Sequence, residues 1–207
     1  MIDPSAPSFE LVSTEGVSAQ IVNQLSKHLS ISRGRYLYLR ASADVGNLPQ
    51  IIQLVGDAVA WLPLAAFAAA YLKRLAEKSA DATWDLIRKK FDRSDKSAVA
   101  FVESVTILAE ARAAMAGKGA IIVGLNCPQP HWGTVVIIKD EDPIVIAEMM
   151  AKFAVNAERI SSFVHNEMDS GAKPLGHVNV EFLEDGQVRL NWIDQAGFKI
   201  EERFLGK

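Results

Sequence analysis

Residues 58–72, AVAWLPLAAFAAAYL, form a run of fifteen uncharged residues that reaches back to Leu54 if Asp57 is tolerated. A helix that is apolar around its whole circumference must be covered by something. A bilayer span needs about 20 apolar residues. This run is shorter, contains Pro63, carries Asp57 near one end and draws much of its apolarity from alanine. It therefore reads first as a core helix. Ala65 and Ala69, or Ala66 and Ala70, stand four apart, a spacing that lets a second helix approach closely. A contact between subunits is the second reading, with Trp61, Leu64, Ala65, Phe67, Ala69 and Tyr71 as candidate interaction residues. A third reading stores residues 54–72 in a soluble fold and exposes them to a membrane, with Pro63 as a hinge.

Composition narrows the partners. With 49% apolar and 23% charged residues the chain has ordinary globular usage, and 207 residues fit a single domain with one sizeable core. Twenty-two basic residues against 25 acidic ones give a net charge of −3, which leaves no cationic excess to neutralise phosphates. Nucleic acid is not expected as a partner. The single cysteine, Cys127, cannot form an intramolecular disulfide, and Met1-Ile2-Asp3-Pro4 lacks the basic and apolar regions of a secretory signal. A reducing cytoplasm is the expected setting.

Apolar periodicity places the elements. Residues 9–12 read as a strand, and Val17, Ile21, Leu25 and Leu29 recur every four residues as one stripe of a helix, with Thr14 placed to cap it. Residues 36–41 follow as a strand. The pattern is then helical from 48 to about 91, with a kink or split expected at Gly56 and Pro63, and Leu72, Ala76, Ala80, Trp84, Ile87 and Phe91 sharing a stripe. A second helix with Ala98, Phe101, Val102, Val105, Leu108 and Ala109 on one side ends before Gly117 and Gly119, so residues 48–117 read as a helical hairpin inserted into the domain. Residues 120–125 are apolar on both faces, as a covered central strand would be, and pair with 134–138 in a hairpin. Asp142-Pro143 suits a helix cap, whereas Ile144, Val145 and Ile146 suit a strand, so 143–147 stays open. A helix then carries Phe153, Ala157, Ile160, Val164 and Met168 inward.

The last stretch, 176–205, reads as a three-stranded meander. A three-residue turn Glu184-Asp185-Gly186, with glycine in the left-handed region, pairs Phe182 with Val188 and Glu181 with Arg189, while a two-residue turn would mix the faces. The same counting sets Arg189 against Glu201 and points Phe198, Ile200 and Phe204 inward. The fold class is α+β: one domain spanning 1–207, with a mostly antiparallel sheet ending in the meander and packed against the helical hairpin and additional helices.

Motifs with chemistry are sparse. Cys127 and His131 are the only thiol and imidazole close in sequence, and such a pair is the minimum for a thiol hydrolase. They are the catalytic candidates, although a loop stiffened by Pro128 and Pro130 is the plainer explanation. His28, His131, His165 and His177 have no zinc-ligand spacing, no phosphate-binding glycine loop or GxSxG elbow occurs, and neither metal nor cofactor is expected. Asp140, Glu141 and Asp142 form an acidic turn without an EF-hand loop. Tyr36, Tyr38 and Arg40 share a strand face without the basic surroundings of an RNA platform. The expectation is a non-catalytic interaction or regulatory module, self-associating through the alanine-rich helix, with a protein as its partner. A membrane-associating effector and a Cys/His thiol hydrolase are the alternatives.

Overall fold

The computed structural model describes residues 8–14, 19–37, 50–77, 95–115, 119–126 and 133–206. The chain is α+β. Among the described residues eight strands form one mixed sheet in the order β2-β1-β3-β4-β5-β6-β7-β8: β1 (Phe9–Thr14), β2 (Ile31–Leu37), β3 (Ile51–Gly56), β4 (Ala120–Leu125), β5 (Thr134–Ile138), β6 (Pro174–Phe182), β7 (Val188–Asp194) and β8 (Ile200–Leu205). Among the described residues four helices accompany them: α1 (Ala19–Leu25), α2 (Ala58–Glu77), α3 (Lys96–Ala114) and α4 (Pro143–Asp169). Four pairings are antiparallel and three parallel, so the expected mostly antiparallel sheet is corrected to a mixed one. Each parallel pair is joined through helix: β1-α1-β2, β3-α2-α3-β4 and β5-α4-β6. Parallel neighbours require such crossovers.

The helical reading of 48–117 fails at its start. Ile51, Ile52, Gln53, Leu54 and Val55 form β3, with Ile52 and Leu54 fully buried against the helices. Two β-branched residues and burial that alternates over 51–54 suit a pleated strand better than a helix turn. Gly56 ends β3 where a Cβ would lie 2.9 Å from Phe9 Cδ1 and 3.2 Å from the Ser8 carbonyl. Pro63 does not split α2, which runs unbroken to Glu77. Pro63 and Val59 are both exposed, so water can serve the Val59 carbonyl that the proline leaves without an amide. Thr14, expected to cap the first helix, closes β1 instead, five residues before α1 begins at Ala19, and its Oγ1 accepts from the Ile51 amide at 3.0 Å. Ala80, Trp84, Ile87 and Phe91 lie outside the described residues.

One apolar core joins the helices to the sheet. Its inner rows include Leu11, Leu54, Val123 and Val136 side by side across four strands, and Ile52, Ile121 and Ile138 in the next row. Trp61 of α2 lies at its centre, fully buried, edge-on to Phe9 and to Phe153 of α4 with ring centroids 5.0 Å apart in both pairs. Its indole N–H donates to the Gly124 carbonyl of β4 at 3.0 Å. α2 packs chiefly on α4, and meets α3 where Phe67 and Tyr71 lie against Phe101. The central strand β4 is buried on both faces, as its composition implies.

The open question at 143–147 resolves as helix. Asp142 caps α4 by accepting from the Ile144 amide at 2.8 Å, and Pro143 occupies the first turn, where its missing N–H costs nothing. Asp140 in turn accepts from the Asp142 amide at 2.9 Å, so two carboxylates of the acidic turn serve the backbone.

The meander is half as expected. Phe182 pairs with Val188 and Glu181 with Arg189, and Gly186 sits at φ +80° in the turn. The β7–β8 register departs from expectation: Arg189 pairs with Phe204, and Glu201 with Trp192. A shift of three residues exchanges the faces. Glu201, Arg203 and Leu205 face inward, while Phe198, Ile200 and Phe204, expected inside, are 77%, 71% and 50% exposed. The turn sets this register: the Asp194 amide donates to the Lys199 carbonyl, the Phe198 amide donates back to Asp194, and Phe198 takes φ +50°. Inward-facing Arg203 is accommodated over the Trp192 ring at 5.7 Å, with Glu167 of α4 3.2 Å away.

Candidate functional site

α2 divides its apolar run between two faces. Ala60, Trp61, Leu64, Ala68 and Tyr71 recur at helical spacing and are buried. The opposite stripe, Val59, Leu62, Pro63, Ala66, Ala69 and Ala70, is exposed and carries no charge before Lys73 and Arg74. Val59 and Leu62 are about half exposed, at 52% and 50%. Of the candidate interaction residues, Trp61, Leu64 and Tyr71 therefore belong to the core, Ala65 and Phe67 lie partly buried at its margin, and Ala69 alone stands on the open face. Of its neighbours there, Leu62 was passed over in the sequence, and Ala66 entered only through its four-residue spacing from Ala70. Their signal was the helical phase: once large Trp61, Leu64 and Tyr71 define one face, positions 59, 62, 66 and 69 fall opposite.

By length and composition α2 is also a helix that could cross a membrane. Spanning would require withdrawing Trp61 from between Phe9 and Phe153 and breaking its bond to Gly124.

Among the described residues, those with catalytic or ligating potential are dispersed. Cys127 and His131 lie outside the described residues, as do Tyr38 and Arg40. His165 Nδ1 lies 2.7 Å from the Ser161 carbonyl one turn earlier in α4. Among the described residues no three His, Cys, Asp or Glu side chains converge as metal ligands. Tyr71 has its pKa pushed up to about 12, first by burial and then by the negative charges of Glu148 and Asp142, so its hydroxyl stays protonated at neutral pH. Arg112 of α3 is buried and donates from Nε and Nη2 to the Lys139 carbonyl at 3.0 and 2.5 Å, tying α3 to the exit of β5.

The arrangement thus offers an uncharged helix face on a rigid support. No family model, curated protein or solved structure matches the chain.

Proposed function

We propose that the chain is a cytoplasmic, non-catalytic interaction module that self-associates through the outer face of α2, with α2 and α3 as its helical scaffold. The observation that carries this reading is the exposed apolar stripe Val59, Leu62, Pro63, Ala66, Ala69 and Ala70. Exposed apolar residues scattered singly need no explanation, whereas a contiguous face of them marks a contact. The alanines let a partner helix approach closely, and Leu62 and Val59 supply apolar area to bury. Because the opposite face of α2 is anchored in the core through Trp61, the stripe is presented without ordering cost.

Sedimentation velocity over a range of concentrations tests it, comparing the unaltered chain with Leu62→Glu and Ala66→Glu. Both sites are exposed, so either substitution should change stability by only about 0.5 kcal/mol. Loss of association in both variants supports the reading. A chain whose self-association ignores both substitutions rejects it.

A second reading rests on the apolar length of α2 with Lys73 and Arg74 following it, a pattern suited to an anionic membrane surface. Flotation with anionic liposomes separates the two: a protein that floats, and stops floating as Ala66→Asp/Ala69→Asp, is membrane-associating, and one that stays at the bottom is not.

A further inference from the structure

We infer that β8 is a second self-association surface, which pairs antiparallel with β8 of another copy about a two-fold axis at Glu202 and continues the sheet from one copy into the other. The inference stands apart from the α2 reading, because β8 ends the strand order four strands beyond β4, on which Trp61 anchors α2.

The backbone supplies the first argument. The Asp194 amide donates to the Lys199 carbonyl at 2.8 Å, which makes 194 and 199 a hydrogen-bonded pair. By alternation the peptide groups of Glu201, Arg203 and Leu205 also face β7, and those of Ile200, Glu202 and Phe204 face away from the sheet. An edge of this kind is a template for another strand. Here the end of β8 is also held in place: Arg159 of α4 donates to the Gly206 carbonyl at 2.5 Å, and Arg203 is fixed by Glu167.

The side chains supply the second argument and choose the register. With Glu202 on the axis, outward-facing Ile200 meets outward-facing Phe204 of the second copy, and inward-facing Arg203 meets Glu201 of the second copy; symmetry makes each contact twice. Apolar residues thus oppose apolar ones on one face, and opposite charges meet on the other. Moving the axis to Arg203 would oppose arginine with arginine and Glu202 with Phe204. Odd shifts would mix the two faces and misalign the free backbone groups. The apolar contact also extends an existing row, since Leu175, Ile193 and Ile200 pair across β6, β7 and β8 on the outer face and all three are exposed. Three features oppose the pairing. Arg203 Nη1 lies 3.0 Å from Glu201 of its own copy and must exchange that partner for Glu201 of the second copy. Glu202 meets its own copy, offset by Arg189, whose Nη1 lies 3.8 Å from the Glu202 carboxylate. Arg203 Nη1 also donates to the Glu202 carbonyl at 2.9 Å and must release it.

The test uses the full chain in sedimentation velocity, with circular dichroism to confirm that every variant folds. Glu201→Arg and Arg203→Glu should each weaken dimerisation by about tenfold, since each sets like charges opposite one another twice. An equimolar mixture of the two variants should restore it, because one then offers two arginines to the other's two glutamates. Phe204→Asp, which leaves the Arg203–Glu167 pair intact, should also weaken it, and Glu202→Gln should strengthen it. A chain that stays monomeric at its solubility limit overturns the inference, as does a dimer that survives Phe204→Asp or a mixture that fails to recover. Dissociation by Leu62→Glu with no response to the β8 variants would leave the α2 reading standing and remove this one; the reverse result would do the opposite.

Discussion

Trp61 donates its indole N–H to the carbonyl of Gly124, and this bond joins the longest apolar run in the sequence to the central strand of the sheet. The ring also lies edge-on to Phe9 and Phe153, so a single side chain ties together β1, α2, β4 and α4. Trp61→Phe keeps an aromatic ring but removes the donor, and should cost about 1 kcal/mol. Trp61→Ala also empties the site and should cost about 3–5 kcal/mol. Urea unfolding midpoints check both; equal costs would mean that the hydrogen bond is the whole contribution of the side chain.

Gly124 is constrained from its other side. A Cβ there would lie 2.5 Å from the Thr134 carbonyl and 2.9 Å from Val135 Cγ1, and the first of these is backbone that cannot swing away. Gly124→Ala should therefore lose about 1–3 kcal/mol through displacement of β5. Gly186→Ala provides the contrast: at φ +80°, with open space around it, only backbone strain of about 1–2 kcal/mol should appear. Asparagine should recover most of that loss at 186 and none of it at 124.

Phe198 holds a conformation that suits another residue. It lies at φ +50° with its ring 77% exposed, so it carries the strain of a left-handed backbone and buries little in return. Asparagine tolerates that conformation far better. Phe198→Asn should raise stability by up to about 1 kcal/mol in thermal or urea unfolding, and a loss of stability would show that the ring makes a contact the fold depends on. Phe198→Gly should gain less, because glycine adds freedom to the unfolded chain.

The same residue shows where sequence reading stops. The β6–β7 register was legible because the turn chemistry of Glu184-Asp185-Gly186 and the facing charges Glu181 and Arg189 agree. In β8 and the turn before it the aromatic and branched residues 198, 200 and 204 suggested an inward face, yet the register is set by Asp194 and the left-handed Phe198, and no local pattern marks phenylalanine for that role. Likewise residues 51–56 merge into the apolar run that follows, and only pairing with β1 and β4 distinguishes a strand there from the first turns of a helix. The candidate surface was legible as a segment but not as a face. Large apolar residues were named as contacts beside Ala65 and Ala69, whereas in the fold the largest of them hold the helix down, and of the named set only Ala69 joins Leu62 and Ala66 on the outside.

Tyr71 gives the fold an alkaline limit. Its pKa is raised to about 12 by burial and by the Glu148 and Asp142 carboxylates, against an ordinary value of 10.0. Because the folded-state value is the higher one, the stabilisation is fully present below pH 10.0 and is lost as pH rises towards 12. In that window the unfolded chain releases a proton that the folded chain retains, so stability declines by at most about 1.4 kcal/mol per pH unit, or about 2–3 kcal/mol in all. Tyr71→Phe preserves the ring against Phe101 and removes the titration. Urea midpoints of both proteins at about pH 8 and about pH 11 should then diverge, with the tyrosine form losing more. All other ionisable groups are common to both proteins and cancel in the comparison. Parallel losses would show that the Tyr71 hydroxyl ionises as readily in the fold as in water.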